Sequence, residues 1–269
     1  GWYLLRHSRN IILVIMKNLI IPFEENKSRK KITLFWIGLF LISWILYSNF
    51  SNVHLFPSIN SVFDGFIALY KEGLVSHIFS SLVLFMQSAL IAIIFSLFIV
   101  YISPLPLFEP VAKISSGLRY LPLAGLAYYM AMLIEDARMI QISILSIFVS
   151  LFLITSTLAL LKDINTEIDH AKTLGCSKMD IIIEVVIKSK IDYVFECIRQ
   201  NLAMIWMSIV MIESMMTSYG GLGFLIKNGE KNGNHGRIIA LQLIILLVGL
   251  SLDYLITKLR KVFFKYSNF

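Results

Sequence analysis

Of the 269 residues, 57% are apolar and only 15% charged, with a mean hydropathy of +0.77. Soluble domains sit near 45–50% apolar and about 25% charged, so an ordinary globular enzyme, a disordered tail and a nucleic-acid binder are all poor fits. The net charge of +7 fits orientation in a membrane once its placement along the chain is considered, and the composition predicts an all-α polytopic membrane protein.

The N-terminal segment, residues 1–31, starts at Gly1 without a Met, as a trimmed or truncated product would. Its apolar stretch Ile11–Ile21 is too short to span a bilayer and holds Lys17, so it reads as an interfacial helix or the tail of a missing element. A crossing helix needs roughly 20 apolar residues. Ile32–Phe50 meets this without a charge, with Trp36 and Trp44 toward its ends. Leu82–Ser103 is the second run, and Ser103–Pro110 (SPLPLFEP) after it cannot be helical throughout. Leu118–Ile134 is the third; Pro122 should bend it and free a carbonyl, which only protein or a water-filled cavity tolerates. Met139–Leu161 is the fourth, with a polar stripe of Ser143, Ser146 and Ser150 continued by Thr157. Such stripes mark close helix packing or, alternatively, a solute path, and Pro122 and the three serines are the candidate pathway residues.

Residues 162–190 form the longest segment outside the spans. Ile164, Ile168, Ala171 and Leu174 share one helical stripe, Thr166 with Asp169 fits a helix-start pattern, and Gly175 supplies the left-handed residue that ends a helix. Ser177 with Asp180 opens a second stretch, with Met179, Ile182, Ile183 and Val186 on its apolar side. Two short helices with a glycine break are therefore expected at the membrane surface. Val194–Glu213, holding Glu196 and Arg199 as a self-paired couple, is the fifth span. Glu213 precedes a glycine-rich turn containing Gly220, Gly221 and Gly223, and should fix that turn or an outer gate; Asn228–Gly236 then reads as a flexible outer loop. Ile238–Thr257 is the sixth span, with Asp253 expected in solvent near its end, and residues 259–269 form a basic tail. The six-span domain thus covers residues 32–258. Six spans place eighteen Lys and Arg on the side of the termini and five on the other, which puts both termini in the cytoplasm.

Cys176 and Cys197 belong to no CxxC pair and are expected as reduced thiols. No segment fits G-x-x-x-x-G-K-[ST], and no His, Cys, Asp and Glu residues cluster at metal-ligand spacing. Neither a metal, a cofactor on this chain nor an enzymatic activity is expected.

The residues Asp169-His170-Ala171, then Gly175 six after Asp169, then Val185-Val186-Ile187 ten after Gly175, resemble the "EAA" loop of ABC importer permeases. Asp stands for Glu, His170 for Ala, and Lys188 where that pattern has proline. Phe56-Pro57-Ser58, Leu121-Pro122-Leu123-Ala124, and Arg199, Trp206, Glu213 with the run Tyr219–Ile226 resemble the branch that imports sulfonates, taurine and nitrate. The resemblance implies two permease chains, an identical second copy among them, joined to two ATP-binding subunits that hold ATP and magnesium, with an extracytoplasmic solute-binding protein outside. It implies a location in the bacterial cytoplasmic (inner) membrane among lipid, with no nucleic acid involved. It implies that Thr166, Asp169, His170, Ala171, Gly175 and Ser177 form the coupling element received by the ATPase. A secondary transporter or channel driven by an ion gradient, with Glu213 or Asp253 binding the ion, is the alternative.

Overall fold

The computed structural model describes residues 29–50, 57–162 and 165–263. The N-terminal stretch Ile11–Ile21, Phe56 and the last part of the tail lie outside them. All regular structure among the described residues is helical.

The chain divides into two compact units, residues 1–59 and 60–269. In the first, α1 (Arg29–Phe50) is apolar on every side, and its Trp44 indole donates to the Pro57 carbonyl at 3.2 Å. The second unit opens with the amphipathic α2 (Ile59–Lys71), which ends at Gly73 in the left-handed region (φ 82°). Next come α3 (Leu74–Ile102), α4 (Glu109–Gly117), a 3-10 turn at Leu118–Tyr120, α5 (Leu123–Leu133) and α6 (Ala137–Lys162). The surface helix α7 (Asn165–Thr173) and the turn α8 (Lys178–Asp180) lead through a π-helix, Ile181–Lys188, into α9 (Ile191–Met215). A 3-10 turn at Thr217–Tyr219, α10 (Leu222–Lys231) and α11 (His235–Phe263) complete it.

Side-chain pairs fix how the long helices run. Arg138 reaches the Ser80 carbonyl, Ser146 the Ser88 carbonyl, and Ser96 the Ser150 carbonyl, so α3 and α6 lie parallel. Asn201 with Ser156 and Gln141 with the Met216 carbonyl set α9 antiparallel to α6. Trp206 with the Ile245 carbonyl and Arg199 with Asp253 set α11 antiparallel to α9. Fully buried Ile144, Leu145, Leu153 and Ile154 make α6 the central helix. Two parallel neighbours require a return between them, and residues 118–134 carry the chain back from the Ile102 end to the Ser80 end.

Among the described residues, four helices are long and apolar enough to cross a bilayer: α3, α6 (as Ala137–Leu161), α9 and α11. The expected first span has a shorter apolar core, Ile32–Ser48. The expected third span is not one bent helix. Pro122 is extended (φ −69°, ψ 133°) and stands before α5 as its cap. A proline has no N–H for the preceding turn and pushes its predecessor out of helical geometry, so the helix restarts there. The 11 residues of α5 rise only about 16 Å, against an apolar bilayer core of about 30 Å. The carbonyl that Pro122 would free, that of Leu118 four residues earlier, is not left free either, since Leu121 N–H donates to it at 3.0 Å.

Candidate functional site

Two polar constructions occupy opposite ends of the bundle. At the Ile102 end lies the loop after α6. The end of α7 closes with both bonds of a Schellman motif: Cys176 N–H donates to the Ala171 carbonyl at 3.1 Å and Gly175 N–H to the Lys172 carbonyl at 3.0 Å. That geometry needs a left-handed residue, and Gly175 supplies it at φ 77°. Ser177 then caps the next turn reciprocally. Its hydroxyl accepts from Asp180 N–H at 3.2 Å, and Ser177 N–H donates to the Asp180 carboxylate at 3.3 Å. The expected pair of short helices with a glycine break is present in this form.

Its apolar side differs from the expected one. Ile181 and Val186, five residues apart, are the buried pair, because the π-helix has i to i+5 bonds such as Ser189 N–H to the Glu184 carbonyl. Met179 and Ile183 face outward, and Leu174, expected on the inner stripe of α7, is 82% exposed because the chain reverses at Gly175. Ala171, by contrast, is buried against its own chain, so it seats α7 rather than offering a surface to another molecule. Asp169 and His170 are exposed; Asp169 accepts from Lys172 at 2.8 Å, which holds its carboxyl below the usual carboxylate range. The Thr166 side chain lies outside the described residues. Lys190 reaches across to Glu167 at 3.0 Å, joining the two ends of the loop and likewise lowering the Glu167 carboxyl. The exposed tip is therefore Leu174, Gly175, Cys176 and Met179, with Asp169, His170 and Lys172 beside it. A Cβ placed on Gly175 would meet nothing within 4 Å.

At the Ser80 end, Glu213 is completely buried near the end of α9. Both its oxygens accept from Ser81 Oγ at 2.8 Å, and one accepts from Gly223 N–H at 3.1 Å. Ser81 Oγ in turn accepts from Leu222 N–H at 3.0 Å. The first amides of α10 are thus satisfied by a carboxylate and a hydroxyl, at the end of the helix where its dipole favours negative charge. The turn is compressed onto this carboxylate. A Cβ on Gly221 would overlap the Glu213 carboxyl, and one on Gly223 would overlap the Val210 carbonyl. Gly220 and Gly221 also have positive φ, 73° and 103°. Glu213 therefore fixes the glycine turn.

The same end holds residues with no sequence expectation attached. His77 Nδ1 accepts from Gly221 N–H at 3.0 Å, and its ring stacks on Phe224. Gln141 Nε2 donates to the Met216 carbonyl at 3.0 Å, and Tyr219 donates to Asp136 at 3.0 Å. The amide of Met139 and then this phenol hold the Asp136 carboxyl below its usual value, while Asp136 raises the Tyr219 phenol. Arg237, 5% exposed, forms a two-pronged pair with Glu72, and Gly65 and Gly236 let α2 and the start of α11 touch backbone to backbone.

Ser146 and Ser150 lie buried in the seam between α3 and α6, and Ser143 is half-buried. Ser150 Oγ donates to the Ile147 carbonyl at 2.7 Å. In this chain Ser146 and Ser150 close a helix contact, while Pro122 is exposed. Toward the Ile102 end, Glu196 and Arg199 pair as expected at 2.7 Å, but Asp253 is not merely solvated: it accepts from Arg199 at 2.5 Å, and Arg260 adds a bond to Glu196 at 2.6 Å. A mostly apolar cavity of about 410 Å³ lies above this network, between Trp206 and Met207 of α9 and Ile245, Leu246 and Gly249 of α11.

No family model matches the chain. Over 89 residues it is 37% identical to the nitrate import permease protein NrtB of Synechococcus elongatus, covering 32% of each protein. Over 110 residues it is 34% identical to a putative ABC transporter permease protein of Methanocaldococcus jannaschii, covering 40% of this chain and 41% of that one. Over 91 residues it is 29% identical to the bicarbonate transport system permease protein CmpB of Synechococcus elongatus, covering 34% and 33%. The chain thus spans about a third to two-fifths of the length of these curated relatives. Among solved structures, an amino acid ABC transporter crystallised with histidines superposes with a TM-score of 0.60 at 16% identity, covering 75% of this chain and 97% of that chain. The methionine ABC transporter MetNI, in inward-facing conformations, superposes with a TM-score of 0.54 at 18% identity, covering 71% and 94%. Over the matched stretches the chain is thus similar in sequence to ABC-transporter permeases, and it shares the fold of solved ABC-transporter chains.

Proposed function

We propose that the chain is the permease subunit of an ATP-driven importer for a small solute. It pairs with a second permease, a copy of itself, and with two ATP-binding subunits that bind ATP and magnesium and carry out the hydrolysis. An extracytoplasmic binding protein delivers the solute. Small oxyanions are the first solutes to assay, because relatives are named for nitrate import and bicarbonate transport.

The observation that carries this proposal is the exposed tip at Leu174–Met179, held rigid by a Schellman turn and a capping box and presented at the more basic end of the bundle. The opposite end collects only Lys71, Arg138, Lys227, Lys231 and Arg237. The excess of basic residues beside the tip argues that it faces the cytoplasm, in the inner membrane, with both termini on that side. The return through residues 118–134, added to α1, α3, α6, α9 and α11, supports six crossings despite its broken helix. A rigid tip transmits a push, whereas a flexible one would absorb it. The ion-gradient alternative is weaker, because Glu213 is engaged by Ser81 and Gly223 and Asp253 by Arg199, so neither carboxylate is offered to an ion.

Mild-detergent extraction of the tagged chain should co-purify an ATP-binding subunit. ATP-dependent uptake should be lost when that subunit is omitted. Uptake that persists without it and collapses with a proton or sodium uncoupler would replace this proposal with the gradient-driven one.

A further inference from the structure

The Gly221 amide can only donate, so the ring nitrogen facing it at 3.0 Å must carry a lone pair. His77 therefore holds the glycine turn only while its Nδ1 is unprotonated, with any ring proton on Nε2. Protonation of Nδ1 would set two N–H groups against each other at the one bond that α3 contributes to Gly221. The turn cannot slide to compensate. Gly220 is packed so closely on the imidazole that a Cβ there would lie 3.0 Å from it, and Phe224 stacks on the ring with centroids 5.5 Å apart.

We infer that His77 is a proton-operated latch on the Gly221 end of the Gly220–Gly223 turn: neutral, it fastens the Gly221 amide to α3 beside the bond from Leu222 N–H to Ser81, and protonated, it releases that amide. Two other fastenings, Leu222 N–H to Ser81 Oγ and Gly223 N–H to Glu213, remain when this one opens, so the release is local rather than an unfolding. The charged groups around the ring are Glu72 just before α3, Arg237 from α11, Glu213 from α9, and Arg138 from α6 with Asp136 and Tyr219 beside it. Lys227 and Glu230, on the helix that stacks against His77, are paired with each other. The latch geometry is independent of the proposed function, which supplies only the compartment, the extracytoplasmic one, from which the proton comes.

The test is hydrogen–deuterium exchange of the full chain in lipid nanodiscs between pH 8 and pH 5, with protection at Gly221–Gly223 corrected for the intrinsic exchange rate. The wild type should lose about tenfold in protection at Gly221 on acidification, the effect of one hydrogen bond. His77→Asn, which offers an acceptor that never titrates, should stay protected at both pH values. Glu213→Gln should keep the acid-induced loss, with lower protection throughout. A wild type with no transition, a transition that survives in His77→Asn, or one abolished in Glu213→Gln overturns the latch. Should His77→Asn fail to fold, the wild-type and Glu213→Gln profiles still decide. Failure here leaves the ATPase co-purification result standing, and failure there leaves this result standing.

Discussion

At the scale of single residues, the two ends of the molecule use glycine for different reasons. Gly175 has open space around its missing Cβ but a φ of 77°, so a side chain there strains the backbone without colliding. Gly175→Val should cost about 1–3 kcal/mol of local strain. The chain should still insert in the membrane, while ATPase co-purification or ATP-driven uptake falls; normal uptake would count against the tip as coupling element. Gly221 combines positive φ with a Cβ that would overlap Glu213, so Gly221→Ala should damage the fold itself. Glu213→Ala leaves the Gly223 amide and the Ser81 hydroxyl without their buried acceptor, a loss of about 1–3 kcal/mol in thermal or denaturant unfolding, and Glu213→Gln should lose less. Gly175 and the Ser177–Asp180 box were legible in the sequence because their signals are local. Ser81 and His77 were not: they meet Glu213 and Gly221 from 132 and 144 residues away, and only helix packing brings them there.

Between elements, polar pairs set the register of helices whose apolar faces are too uniform to do so. Arg199 joins α9 to α11 by holding Glu196 and Asp253 at once. Arg199→Met should lower stability by about 2 kcal/mol, more than Asp253→Asn, which leaves Arg199 its bonds to Glu196. At the opposite end, the Tyr219–Asp136 bond ties the turn after α9 to the residue before α6. The Asp136 pKa is lowered, so its contribution is present above the usual carboxylate value near 4 and is lost as pH falls through the lower folded value. The Tyr219 pKa is raised, so its contribution is present below about 10 and disappears as pH climbs through the higher folded value. Tyr219→Phe should remove the alkaline limb and shrink the acid limb, whose larger cause, the Met139 amide, remains; an unchanged profile would show the bond to be idle. The expectation that the third span is one bent helix failed at this scale. Hydropathy sums apolar residues without asking whether the backbone continues through them, and Pro122 interrupts it. The serine stripe of α6 was visible as a period, but a period alone does not distinguish a helix seam from a solute path.

For the molecule as a whole, the arrangement of parallel α3 and α6 with antiparallel α9 and α11 places one rigid exposed tip and one carboxylate-anchored turn at opposite ends of the same long helices. α9 runs between them: the π-helix and Lys190 adjoin its start, and Glu213 lies near its end. In the proposed function, a displacement of the tip would reach the turn through α9, which is one continuous helix. The helical class, the basic asymmetry and the two-helix loop were readable from composition and spacing. The Glu72–Arg237 pair was not, because nothing in either residue's neighbourhood points to a partner 165 positions away.

The most direct test of the account is a photo-crosslinking amino acid placed at Leu174 or Met179 in cells expressing the full transporter operon. Irradiation should join the chain to an ATP-binding subunit, and the same position should be unreachable by a membrane-impermeant label added outside. Labelling from outside, or crosslinks to lipid alone with the ATP-binding subunit present, would contradict it.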